Sequence, residues 1–131
     1  MADARFRCIV TVRIATQTKH RGAFFGPGPC ELLYRIEELG STVAAAKKMG
    51  ISYSKARILI ENLERELGYA VVIRKQGGKD NGSSRLTEEG KRFLALYQRL
   101  SDGINVLAQG MFAEVFGDYG QVPASTRQDL P

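Results

Sequence analysis

At 131 residues the chain has room for one domain and not comfortably for two. Its 44% hydrophobic and 25% charged residues are those of an ordinary globular protein, and apolar runs such as Cys8–Val12 are far too short to span a bilayer. The net charge of +5 favours an anionic partner.

The first thirty residues carry none of the basic flank and long apolar stretch of a signal peptide. Cys8 and Cys30 stand alone, with no CxxC spacing and no metal-ligand pattern. Both are expected to be reduced, mostly buried thiols of a cytoplasmic protein. The positive charge is not spread evenly. Met1–Cys30 has five basic residues and one acidic, and Glu31–Gly68 has six of each. Tyr69–Arg92 has six basic and three acidic, and Phe93–Pro131 two basic and four acidic.

Phe6–Thr16 opens the chain with alternation. Phe6, Cys8, Val10, Val12 and Ile14 fall on one face and Arg7, Thr11 and Arg13 on the other, the pattern of a half-buried strand. A loop follows, closed by Gly26-Pro27-Gly28-Pro29, with Pro29 placed to open a helix. From Glu31 the period becomes helical: Leu32, Leu33, Ile36 and Leu39 recur, and Gly40 stops the run. Ser41 caps a short second helix, TVAAAKKM, that ends at Gly50. Ser52 caps a third, YSKARILIENLEREL, ending at Gly68, with Ala56, Leu59, Ile60, Leu63 and Leu67 as its apolar stripe. Tyr69–Lys75 has the β-branched density of a strand. The loop GGKDNGSS and a short return segment, Arg85-Leu86, come next. Thr87 caps a fourth helix with Glu88 and Glu89 at its positive end. Phe93, Tyr97, Leu100, Ile104, Leu107 and Met111 form a heptad-like seam on it. The expected domain is 1–111. Residues 112–131 are read as a short amphipathic segment (Phe112, Val115, Phe116, Tyr119) and a disordered tail.

Helix, short helix, turn at Gly50, helix is the helix-turn-helix layout. Ala44, Ala45 and Ala46 let the second helix sit close to its neighbours, and Ile51 plugs the turn. The third helix then reads DNA with Ser52, Tyr53, Ser54, Lys55 and Arg57, because its other half is acidic, with Glu61, Glu64 and Glu66. A strand, a glycine-rich basic loop and a return strand behind such a helix make a wing. Glycine lets its backbone approach DNA, and Lys75, Lys79, Ser83, Ser84 and Arg85 offer donors to phosphate or to a minor groove. The fold class is mostly α with a small β-sheet (α+β), a winged helix-turn-helix with an N-terminal strand and a long C-terminal helix.

The stretches FFGPGPCELLYRIEELGSTVAAAKKMGISYSKARILIENLE and GGKDNGSSRLTEEGKRFLALYQRL resemble the N-terminal winged-helix domain of the ModE-type molybdate-responsive transcription regulators, relatives of the LysR-type DNA-binding domain. The likeness runs from about Phe6 to Leu100. It rests on GPG before the first helix, GS and AAK in the second, SY opening the third, the double glycine of the wing and LTEEG. It implies that the third helix and wing hold double-stranded DNA and that the fourth helix helps make a homodimer through Leu100, Ile104, Leu107 and Met111. About 23 residues of helix give roughly 35 Å, enough to set two reading helices one DNA turn apart. The family often has tryptophan where Arg57 stands. Its regulators also carry C-terminal oxyanion-binding domains, and about thirty residues follow Leu100 here, so molybdate binding is not expected.

Two other function classes compete. A winged-helix protein–protein interaction module without DNA binding is compatible with the neutral block Glu31–Gly68 and the patch Phe112–Tyr119. An enzyme is poorly supported: His20 is the only histidine, and no carboxylate pair or nucleophile has an evident base partner. No cofactor and no metal are expected.

Overall fold

The alternating segment at the start of the chain pairs with another strand over only two residues. In the computed structural model, which describes residues 6–17, 22–75 and 82–117, β1 is Ile14–Ala15 and lies antiparallel to β2, Ala23–Phe25. Ile14 faces Phe25 and Ala15 faces Ala23, with an irregularity between them. Part of the expected loop is therefore a strand. The expected alternation survives as burial: Cys8, Val10, Val12 and Ile14 are half-buried while Arg7, Ile9, Thr11 and Arg13 are exposed. Phe6 departs from it and is exposed.

The described residues divide into two compact units, 11–98 and a second made of 6–10 with 99–117. The first unit continues with α1 (Pro27–Leu39), α2 (Thr42–Met49), α3 (Tyr53–Leu67), β3 (Val72–Lys75), β4 (Ser83–Leu86) and the start of α4 (Glu88–Phe116). Pro27, not Pro29, takes the first helical position of α1. Its fixed φ suits that place, its missing N–H costs nothing there, and the Gly26 carbonyl accepts the Cys30 N–H at 2.9 Å. Gly40 ends α1 in the left-handed region at φ 69°, where a side chain would be strained. Ser41 and Ser52 cap α2 and α3 as expected. Their hydroxyls accept the N–H of Ala44 at 3.1 Å and of Lys55 at 3.0 Å.

The three helices bury most of the apolar positions the periodicity marks: Leu32, Leu33 and Ile36 of α1, Ala45 and Ala46 of α2, Ala56, Ile60 and Leu63 of α3, while Leu59 and Leu67 are half-buried and Leu39, at the end of α1, is exposed. Each large aliphatic side chain so buried stabilises the fold by about 1.5–3 kcal/mol before the entropy of ordering is set against it. Phe25 closes the core with its ring edge-on to Phe93 (4.8 Å) and Tyr97 (4.7 Å), a favoured aromatic geometry. The Tyr97 hydroxyl donates to the Val12 carbonyl at 2.6 Å. Cys30 is buried beside them. Desolvation pushes its thiol pKa up and Glu31 adds to this, which makes it an inert core residue.

β3 and β4 form the second antiparallel sheet, in register from Val72 opposite Leu86 to Lys75 opposite Ser83. Thr87 caps α4, accepting the Gly90 N–H at 2.9 Å and donating to the Ala70 carbonyl at 2.8 Å. The fold is mostly α with two small antiparallel sheets.

In the second unit the backbone of Phe6–Val10 is held by side-chain amides of α4. Asn105 accepts the Val10 N–H and donates to the Val10 carbonyl, both at 2.9 Å, and Gln109 accepts the Cys8 N–H at 2.9 Å. α4 runs unbroken through Phe112 to Phe116, so the separate short helix expected there is the end of α4. Tyr119 and the expected tail lie outside the described residues. Among the described residues no helix is long and apolar enough to cross a membrane.

Candidate nucleic-acid interface

The first turn of α3 projects Tyr53, Ser54, Lys55 and Arg57 to solvent, because Ala56 and Ile60 fix the opposite face in the core. Ser52 is exposed too, but its hydroxyl oxygen is already the helix cap. The Arg57 guanidinium Nε donates to the Glu61 carboxylate at 3.2 Å, one turn further on, and both side chains are about half exposed.

The wing presents a second set. In β4 the side chains alternate: Ser83 and Arg85 are exposed, Ser84 and Leu86 buried. Ser84 is buried and bonded into the fold. Its hydroxyl accepts from the Thr42 hydroxyl at 2.9 Å and the Thr42 N–H at 3.3 Å, and its own N–H goes to the Gly40 carbonyl at 2.9 Å. It fastens the wing to the start of α2. Lys75 is exposed at the end of β3, and Lys79 lies outside the described residues.

A residue passed over in the sequence joins the two sets. Arg74 of β3 sits over the Tyr53 ring, 5.7 Å from its centre, a cation–π contact between wing and reading helix. Alternation along β3 is the signal that could have found it, since Arg74 sits on the same face of the strand as Val72 and opposite Ser84. Between α3 and the wing lies a cleft of about 230 Å³ lined by Tyr53, Arg57, Arg74, Lys75, Ser83 and Ser84, with Ser41 and Thr42 at the start of α2 at its side. None of the described residues that line it is acidic. A polar, cationic hollow of this kind suits a phosphate oxygen.

On α4, Leu100, Leu107 and Met111 are exposed, Leu107 by 72%, and Ile104 is half-buried. Val106 and Val115 extend the exposed apolar surface of this helix.

Residues 30–91 match the model of the bacterial regulatory helix-turn-helix protein, lysR family. Among curated proteins the chain is 34% identical over 83 residues to the molybdenum-pterin-binding protein MopB of Rhodobacter capsulatus, 63% of this chain and 31% of that one. It is 36% identical over 78 residues to the DNA-binding transcriptional dual regulator ModE of Escherichia coli K12, 60% of this chain and 30% of that one. The match thus spans about a third of the length of these relatives. Among solved structures the fold is shared with the CbnR DNA-binding domain in its DNA complex (TM-score 0.52, 20% identity, 67% of this chain and 95% of that one). It is shared also with the BenM DNA-binding domain bound to benA site 1 DNA (TM-score 0.51, 23% identity, 69% and 96%). The matched family is one of transcription regulators and not of enzymes. The segment from Cys30 to Lys91, α1 through the first turn of α4, is thus similar to the helix-turn-helix domain of the lysR family of bacterial regulators, and the chain to part of ModE.

Proposed function

We propose that this chain is a sequence-specific, double-stranded DNA-binding transcription regulator that works as a homodimer in the cytoplasm. The observation that carries the reading is the cleft in which the N-terminal turn of α3 and the basic wing meet. Tyr53, Ser54, Lys55 and Arg57 enter the major groove in this reading. Arg57 addresses a base edge, and Ser52 caps the helix at the groove's rim. Arg74, Lys75, Ser83 and Arg85 take phosphates in this reading, and Lys79, outside the described residues, is a further candidate for the same role. The exposed positions Leu100, Leu107 and Met111, with Ile104, face a second copy.

The test is selection of bound sequences from random duplex DNA, followed by titration of the winning duplex at low and moderate salt. With roughly four to six phosphates contacted per subunit, affinity falls steeply as salt rises, because each neutralised phosphate releases counterion. Weak binding that ignores salt counts against the assignment. The exposed apolar face of α4 keeps a second reading in view, a winged-helix module that binds protein alone, for which bulk duplex DNA gives no binding at either salt concentration.

A further inference from the structure

The Arg57–Glu61 pair has little to do for the fold. Both side chains are about half exposed, and an exposed ion pair adds almost nothing to stability. On a helix the order basic-then-acidic is also the weaker of the two orders four residues apart. Yet Glu61 places a negative charge one turn from the surface that would meet phosphates. Glu64, on the same helix, has a structural task, since its carboxylate accepts the N–H groups of Val71 and Val72. No comparable task for Glu61 is found among the described residues; its bond is to Arg57.

The atom that Glu61 holds matters. It takes the Nε hydrogen of Arg57, not one of the terminal amino groups. A guanidinium has five donors in a rigid plane. With Nε held from the side of the helix, the plane is biased towards one orientation, and the two terminal nitrogens, which do not bond Glu61, are left as a fork. Such a fork matches the O6 and N7 acceptors of guanine, the commonest specific contact in the major groove. An untethered arginine on a half-exposed helix face can equally turn to a phosphate, which carries no sequence information. A carboxylate there also disfavours that alternative, since it repels the backbone.

We propose that Glu61 is a positioning residue for base recognition, holding Arg57 by Nε so that its terminal nitrogens address a guanine instead of the DNA backbone. The assignment rests on the reading of α3 as the helix that enters the groove, and it names the specificity element of that site.

The test uses the full chain, the selected duplex, single-base-pair variants of it and a scrambled duplex. Glu61→Ala lowers discrimination at one guanine-containing base pair by about tenfold. Affinity for the scrambled duplex stays the same or rises, because a repelling charge is gone. Arg57→Ala loses preference at the same base pair, and the double variant loses no more than Arg57→Ala alone. Glu61→Gln keeps most of the discrimination, because its amide oxygen accepts the same hydrogen bond without the charge. Circular dichroism melts of all variants match the wild type. Wild type that binds no duplex overturns the regulator reading and this assignment with it. Preference that depends on Arg57 but survives Glu61→Ala overturns the assignment alone. So does a Glu61→Gln variant as unselective as Glu61→Ala, since charge and not the hydrogen bond would then be at work.

Discussion

The Glu64 carboxylate accepts two backbone N–H groups, from Val71 at 2.8 Å and Val72 at 3.2 Å, and so ties the end of α3 to the strand that begins the wing. In the sequence Glu64 is one of three acidic residues that mark the half of α3 turned from DNA; its structural bond depends on where the chain goes after Gly68 and has no local signature. Gly90 is similar. It looks like a weak point in a helix, where glycine costs about 1 kcal/mol relative to alanine. A Cβ there would stand 2.5 Å from the Val71 carbonyl oxygen and 3.1 Å from the Val71 Cα. Both are backbone atoms and cannot move aside by changing rotamer. The clash outweighs the propensity gain, so Gly90→Ala destabilises the domain by about 1–3 kcal/mol, read as a lower urea midpoint with an unchanged slope. Gly103 and Gly110, on the same helix, have open space around a built Cβ, and Gly103→Ala leaves the midpoint unchanged or raises it. A Gly90→Ala midpoint at or above the wild-type value would show that α4 does not pass so close to the wing. Ser84 shows the other side of what was legible. The period-two rule turns it inward with Leu86, but a serine in a glycine-rich loop reads as a solvated donor until the strand is known to start at Ser83.

At the scale of elements, the helices and their caps were legible because their signals are local: apolar spacing, a serine before each of α2 and α3, a glycine after each of α1, α2 and α3. Two elements differ from what their local pattern suggests, each for its own reason. The alternation of Phe6–Thr16 reports burial on one face, but a strand also needs a backbone partner. Cys8 and Val10 find theirs in the side-chain amides of Gln109 and Asn105, about a hundred residues away in sequence. The apolar patch from Phe112 reads as a helix of its own, yet neither Gly103 nor Gly110 ends α4 before it. One glycine costs too little to interrupt a helix of 29 residues whose neighbouring turns are intact. The continuous α4, about 44 Å long, leaves Leu107 72% exposed and Met111 66% exposed. Burying these side chains against a second copy supplies a driving force that a monomer leaves unused. Leu107→Glu therefore gives a folded monomer: a carboxylate at the seam costs dimer stability, while in the monomer it is solvated and disturbs no core contact. Sedimentation equilibrium at micromolar concentration distinguishes the two forms. Wild type that sediments as a monomer there removes the case for α4 as the dimer seam.

For the whole molecule, charge and assembly meet in the salt dependence of DNA binding. The chain carries +5 overall, but the block Phe93–Pro131 is net negative, and the positive charge belongs to the first thirty residues and to Tyr69–Arg92. Arg74, Lys75 and Arg85 of the wing lie in the second of these blocks, and Arg57 adds to them from α3. Together these residues make a cationic patch on each copy of the chain. If a dimer presents two patches to one duplex, it releases about twice the counterion that a single protomer does. The slope of log affinity against log salt is about −0.9 per phosphate neutralised, so four to six phosphates give roughly −4 to −5 for a protomer and twice that for a dimer. Wild type and Leu107→Glu should accordingly differ by about a factor of two in slope, beyond the loss of affinity itself. The comparison separates two effects that affinity alone confuses. A variant weakened by damage to the reading helix keeps the dimer's slope and loses discrimination; a variant that has lost its partner halves the slope and keeps the base preference of one half-site. Equal slopes for the wild-type dimer and the monomeric variant would mean that only one subunit touches DNA, and would refute two-patch binding whatever the oligomeric state.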